Sequence, residues 1–255
     1  MKKTYIYNAF GLNLKSLDLK LPELMTLRDK NINKFDVQIM EAKSKDWPLI
    51  KPNDYDTSFL NIIPNDLRIK IQGIGSFRVT NGENIYWEKD KPSVFLQDIR
   101  TFLLGSPFGA LLIQKGFLVF HGNALVKDNQ AITFLGSSGR GKSTIAYGLM
   151  KKGWKLIADD LVVLDSRGYV MPGIRRIKLW EDAINAFNLD INQLQKCRKN
   201  LNKYLIIGKD IEEEINPTKL KSIFVLTQRQ HIKSPSNNLV LPVESEQNKF
   251  ICLRN

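Results

Sequence analysis

The residues with the clearest chemical use are Gly136-Ser137-Ser138-Gly139-Arg140-Gly141-Lys142-Ser143-Thr144, which satisfy G-x-x-x-x-G-K-[ST]. Glycines let successive backbone N–H groups turn inward without a Cβ clash, which makes a concave anion site at a helix N-terminus. Lys142 then supplies a point charge for β- and γ-phosphates, and the Ser143 hydroxyl suits a Mg²⁺ shell. The flanks agree with that chemistry. Residues 131–135 read as an apolar strand before the loop and residues 145–150 as a helix after it. A glycine-rich turn with an incidental lysine is the competing reading, and the strand–loop–helix context disfavours it.

Asp159 and Asp160 close the run Trp154-Lys155-Leu156-Ile157, and Asp159 stands 17 positions after Lys142. One helix and one short strand fill that interval, so these carboxylates are expected on the strand beside the phosphate loop. Two adjacent carboxylates there divide the work: one accepts the proton of an incoming hydroxyl, the other holds a metal. A solvated Asp-Asp turn after a strand is the alternative. Two further matches suggest a circularly permuted GTPase: Asn33-Lys34-Phe35-Asp36 fits N-K-x-D, and Asp165-Ser166-Arg167-Gly168 fits D-x-x-G. The polar run before Asn33 is no strand, and 23 residues from Lys142 to Asp165 leave no room for a switch loop. Both read as chance. An L-S-G-G run of transporter ATPases does not occur.

These groups need elements to hold them. Residues 1–115 read as a β-rich N-terminal region with a connecting helix, and residues 116–255 as the catalytic domain. Tyr5-Ile6-Tyr7 is a strand candidate, and residues 76–80 and 85–87 form a hairpin through Asn81-Gly82-Glu83-Asn84. Residues 93–115 show helical spacing interrupted at Gly105-Ser106-Pro107. Beyond them, 117–120, 124–126 and 131–135 are short apolar runs. The last barely alternates, as expected of a strand covered on both faces by helices. The expected fold is therefore α/β, a mixed sheet flanked by helices, with a smaller β-rich N-terminal part.

Composition narrows the class. The 255 residues are 43% hydrophobic and 25% charged, too apolar for a disordered chain. Cys197 and Cys252 form no CxxC pair, and His121 and His231 are the only histidines, so zinc-ribbon and histidine-rich metal sites are disfavoured. The net charge of +12 is uneven: residues 1–115 carry 17 basic and 13 acidic groups (+4), residues 116–255 carry 21 and 13 (+8). Without interleaved aromatics this favours nucleotide phosphates or an acidic peptide over nucleic acid. No stretch is long and apolar enough for a membrane, and no apolar run follows the first lysines, so a cytoplasmic protein is expected.

With these residues in view, the chain resembles the HPr kinase/phosphorylase superfamily over about residues 5–228. The likeness rests on His121-Gly122-Asn123-Ala124-Leu125-Val126, the phosphate loop, and Gly153-Trp154-Lys155-Leu156-Ile157-Ala158-Asp159-Asp160. It is closest to the serine kinases encoded with lasso-peptide precursors, through Tyr7-Asn8-Ala9-Phe10-Gly11-Leu12, Leu21-Pro22-Glu23-Leu24, Met171-Pro172-Gly173 and Lys178-Leu179-Trp180. The resemblance implies a phosphate-loop core related to HPr kinase and PEP carboxykinase. It implies transfer of the γ-phosphoryl group of ATP, with Mg²⁺, to a serine of a peptide or small protein, a lasso-peptide precursor foremost. It further implies Asp159 as general base, Asp160 with Ser143 on the metal, and His121 beside the reacting phosphate. A hydrogen-bonded core histidine is the other reading of His121.

The chain departs from the family at Ile174-Arg175-Arg176-Ile177-Lys178, where HPr kinase proper has an acidic residue and a Gly-rich run; a reverse phosphorylase reaction is not expected. The chain ends soon after the strand read at 222–226, so the helices the family places there are expected to be shortened or missing. Arg175 and Arg176 are candidates to grip a phosphate or a peptide C-terminus, against a solvated strand face. Lys196, Arg198, Lys199 and Lys203, after a helical stretch at 191–194, read as a solvated face or a dock for an acidic peptide. An HPr-like carrier-protein kinase, an adenylylsulfate-kinase-like small-molecule kinase and a nucleotide-binding regulator without phosphotransfer remain open. So does a homo-oligomer.

Overall fold

The computed structural model describes residues 3–27, 32, 34–48, 59–198, 201–207 and 216–227. Asn33, Lys199, His231 and Cys252 lie outside the described residues. The expected hairpin and first strand belong to an eight-stranded sheet. Its strands are β1 (Thr4–Ala9), β2 (Leu12–Leu17), β3 (Met25–Thr26), β4 (Val37–Glu41), β5 (Leu60–Ile63), β6 (Asp66–Ile71), β7 (Gly75–Thr80) and β8 (Asn84–Lys89). They lie in the order β3-β1-β2-β4-β8-β7-β6-β5, parallel only at β2–β4 and β4–β8. Leu12, Leu14 and Ser16 are buried at alternate positions of β2, as are Phe77 and Val79 of β7. Asn81 (φ 56°) and Gly82 (φ 63°) carry the β7–β8 turn.

Helices α1 (Leu96–Leu103) and α2 (Ser106–Gln114) meet at Gly105, and Pro107 stands in the first turn of α2, where its missing N–H is harmless. Leu103, Phe108, Leu111 and Leu112 pack with the first sheet in one cluster. That cluster also contains Leu161, Val163 and Ile174, so it runs on past residue 116.

The remaining strands are β9 (Leu118–Lys127), β10 (Gln130–Leu135), β11 (Lys155–Leu164), β12 (Tyr169–Val170), β13 (Arg176–Trp180), β14 (Gln195–Arg198), β15 (Leu201–Ile207) and β16 (Thr218–Val225). Helix α3 (Lys142–Met150) follows β10, and α4 (Glu181–Ala186) follows β13. The fold is α/β with mixed sheets, and strand outweighs helix by 46% to 19%. The sheet that follows residue 116 closes into a barrel, β10-β16-β12-β11-β9, with α3 against β9, β10 and β11 and α2 against β9. The apolar residues 118–120 and 124–126 are parts of the single strand β9. β10 is buried on both faces by different partners. Ala131 and Leu135 join the cluster formed among barrel strands, while Ile132 and Phe134 pack with α3, α4 and the three-stranded sheet β13-β15-β14. Among the described residues, no helix is long and apolar enough to cross a membrane.

One contact fixes how the first sheet meets the strand that enters the site. Phe10 N–H donates to Pro172 O at 2.6 Å, and a Cβ added at Gly173 would sit 2.0 Å from the Phe10 ring. Gly173→Ala must therefore move that ring. We expect a loss of about 1–3 kcal/mol in urea unfolding, partly recovered in Phe10→Leu/Gly173→Ala.

Candidate functional site

Between β10 and α3 the chain makes the loop that carries Gly136 to Gly141. Gly139 (φ 82°) and Gly141 (φ 89°) adopt the left-handed conformation that a Cβ disfavours, although both have open space around them. At Gly136 the constraint is a neighbour: a Cβ would lie 2.7 Å from the carbonyl oxygen of Leu226, just beyond β16. Gly141 is the residue before α3, so the loop delivers its N–H groups to a helix N-terminus. The Lys142 ammonium folds back and donates to the carbonyls of Gly136 and Ser137, the latter at 3.1 Å. Burial pulls Lys142 below the usual lysine range, opposed by Asp159 and Asp160.

The loop lines a cleft of about 460 Å³ with Ser138, Gly139, Arg140, Gly141, Lys142, Ser143 and Thr144. His121, Asp159 and Asp160 line the same cleft. The sequence places the two aspartates on the strand beside the phosphate loop. That strand is β11, and β9, which pairs with both β10 and β11, stands between it and the strand that leads into the loop. Nor is Asp159-Asp160 a turn: β11 runs through it, with Asp159 opposite Asn123, Asp160 opposite Gly122 and Leu161 opposite His121. Consecutive side chains of a regular strand point to opposite faces. Asp160 departs from that geometry at φ 67°, and both carboxylates reach the cleft.

Their environments differ. Asp159 is only 3% exposed, and its Oδ2 has no hydrogen-bond partner. Burial, then the charge of Asp160, pushes Asp159 up to about 7. Burial also acts on Asp160, but Lys178 and Arg176 overcome it and hold that carboxylate below the usual range. Lys178 Nζ donates to Asp160 Oδ2, and Arg176 Nη2 stands 3.9 Å from the same oxygen. His121 Nδ1 lies 3.1 Å from the Asp160 carbonyl; a carbonyl only accepts, so Nδ1 carries the proton. Burial and the nearby Lys142 lower the His121 pKa, which favours the neutral ring with Nε2 unprotonated.

The expectation that Arg175 or Arg176 faces a ligand is not met. Both are buried and neither lines the cleft. Arg176 is no solvated strand side chain either: it is fully enclosed and donates to Glu23 Oε1 at 2.9 Å. Lys178, Trp180 and Lys203 line the cleft instead, with Lys203 opposite Trp180 on β15 and its ammonium 5.2 Å from the indole centre. A signal for Lys178 and Trp180 existed, since apolar Ile177 and Leu179 assign the alternate positions to the other strand face. The basic cluster after 191–194 is dispersed. That stretch is one 3₁₀ turn, Ile191–Gln193; Lys196 stacks over Tyr204, Arg198 over Phe102, and Lys203 turns to the cleft. Asp165 caps a turn by accepting from the N–H groups of Arg167 and Tyr169, and lies outside the cleft lining.

Among the described residues no group of three or more His, Cys, Asp and Glu side chains gathers around a metal position. A hydroxyl at Ser143 and a carboxylate at Asp160 in one cleft are nonetheless hard oxygen donors. That set suits Mg²⁺, which completes its shell with water and substrate phosphates rather than a protein cage. Compared with protein-family models and with curated proteins, the chain matches none.

The raised Asp159 has a consequence for stability. A carboxyl whose folded pKa lies above its unfolded value near 4 stabilises the fold below that value, and this contribution is lost as pH rises through about 7. Asp159→Asn removes the loss. Its urea midpoint is expected to exceed the wild-type midpoint more at pH 8 than at pH 5; an equal gap at both pH values would contradict the raised pKa.

Proposed function

We propose that the cleft binds ATP with Mg²⁺ and transfers the γ-phosphoryl group to a serine hydroxyl of a peptide. On this reading the barrel and its loop are a phosphate-loop core of the HPr kinase kind, and the acceptor suggested by the sequence likeness is a lasso-peptide precursor. One observation carries the proposal. The phosphate-type loop, a buried carboxyl with its pKa near 7 and a neighbouring ionised carboxylate line one cleft.

In this mechanism the serine Oγ bonds to the γ-phosphorus while its proton passes to Asp159. The bond from phosphorus to the β–γ bridging oxygen breaks, and ADP leaves with that oxygen. A base with a pKa near 7 is substantially ionised at neutral pH yet still proton-avid, the balance general-base catalysis requires. Lys142 exchanges the Gly136 and Ser137 carbonyls for phosphate oxygens, and the backbone N–H groups at the start of α3 add fixed positive charge. Lys178 and Lys203 extend that field along the cleft wall. Neutral His121, tethered to the Asp160 carbonyl, orients groups beside the phosphates without adding charge. Ser143 and Asp160 would hold Mg²⁺, which supplies charge neutralisation on the phosphates.

Incubation with Mg-ATP and a serine-containing precursor peptide should add one phosphate mass to a serine. Asp159→Asn is expected to lower transfer by about 10²-fold or more while ATP affinity stays within a few-fold. Lys142→Ala should lose ATP binding itself. Wild-type transfer should rise with pH through about 7 as Asp159 ionises. Transfer to an HPr-like carrier but to no peptide would reassign the acceptor. Intact ATP binding with no transfer to either would leave a nucleotide-binding regulator.

A further inference from the structure

Arg176 is wholly buried on β13, and the carboxylate it bonds, Glu23, is also buried. Enclosing both ions removes water that their mutual attraction does not reliably replace, so such a pair is weak as a stability device. This one is also incompletely satisfied. Arg176 Nε and Nη2 and Glu23 Oε2 are enclosed without hydrogen-bond partners. The guanidinium is thus divided between two carboxylates: Nη1 is bonded to Glu23 Oε1 at 2.9 Å, and Nη2 stops 3.9 Å from Asp160 Oδ2, beyond hydrogen-bond reach.

Glu23 is firmly seated. Leu24 N–H donates to Leu21 O at 3.1 Å, Leu21 N–H donates to the Tyr7 hydroxyl at 2.7 Å, and Leu19, Leu21 and Leu24 are buried in the core of the first sheet. A fixed carboxylate on one side therefore sets how far the guanidinium advances toward the other. Without Glu23, the carboxylate closest to the loosened end of Arg176 among the described residues is Asp160, already shared with Lys178, and the more deeply buried Asp159 also feels that charge.

We propose that Glu23 is a positioning residue for the cleft: by holding Arg176 Nη1 it keeps the guanidinium back from Asp160. The Asp160 carboxylate then stays at the cleft wall under Lys178, open to the Mg²⁺ that accompanies a nucleotide, instead of closing into a buried ion pair. The inference rests on the nucleotide reading above and assigns the N-terminal sheet a charge that acts on the site.

The test uses the full chain, with ADP as probe, titrated with and without Mg²⁺, and thermal melting beside it. Glu23→Gln is expected to reduce the tightening of ADP by Mg²⁺ about tenfold while metal-free ADP affinity stays within about twofold, the mark of a lost coupling rather than a lost site. Glu23→Met/Arg176→Met removes the guanidinium together with its anchor. It should recover most of the Mg²⁺ effect, because Lys178 alone still holds Asp160 ionised, and melt at or above the wild-type temperature, since apolar replacement of a buried pair is tolerated. The double variant decides the matter even if Glu23→Gln does not fold. A folded Glu23→Gln with an unchanged Mg²⁺ effect overturns the proposal. So does a double variant with a tenfold weaker effect, or one that does not fold. Wild-type ADP binding indifferent to Mg²⁺ overturns this inference alone, whereas no ADP binding in any condition overturns the nucleotide reading beneath it.

Discussion

Two carboxylates on consecutive residues cannot both stay ionised inside a protein unless cations stand against them, and the surroundings of Asp159 and Asp160 are built around that constraint. Repulsion and burial act on both. Lys178 and Arg176 settle which one keeps its charge, because both approach the same oxygen of Asp160 and leave Asp159 Oδ2 without a partner. The result is a chemically unequal pair from two identical side chains. One is near neutrality and suited to take a proton; the other is an anion suited to hold a cation.

That inequality depends on two packings that meet at the barrel. On one side, Leu161 and Val163 of β11 join the core of the first sheet and α1–α2, which fixes the strand carrying the aspartates. On the other, β13 brings Ile177 and Leu179 to α3 and α4, so that Arg176, Lys178 and Trp180 occupy the alternate positions. Burial declines outward along that row, from enclosed Arg176 to exposed Trp180. A single strand thus supplies a buried charge that influences the carboxylates and a rim that meets whatever enters the cleft. The same row explains why Arg176, by type a stronger phosphate ligand than lysine, is not on the cleft wall.

Several features were legible in the sequence because they are local. The loop from Gly136 to Thr144 needs glycines for its left-handed turns and a helix directly after it, and both requirements are written in neighbouring residues. The β7–β8 hairpin and the break at Gly105 are local in the same sense. Pairing was not legible. Nothing near Asp159 says that β9 lies between its strand and β10, since β9 precedes both in the chain and its contribution is a matter of register. Barrel closure was hidden for a related reason: a strand buried on both faces has the same apolar run whether helices or other strands cover it.

The sequence by itself therefore determined the groups on offer: a glycine-rich loop of G-x-x-x-x-G-K-[ST] spacing, a pair of adjacent carboxylates, a histidine and a surplus of positive charge in the second half. Only the tertiary structure decided which groups meet and in what ionisation state. It turned Asp159 and Asp160 into one cleft, withdrew Arg176 to a buried contact with Glu23, 153 residues away in the chain, and set Lys178 and Lys203 in its place. The physical reason is that charge on a buried group is fixed by distance and by loss of water. Both are properties of the packed chain, not of the order of its residues.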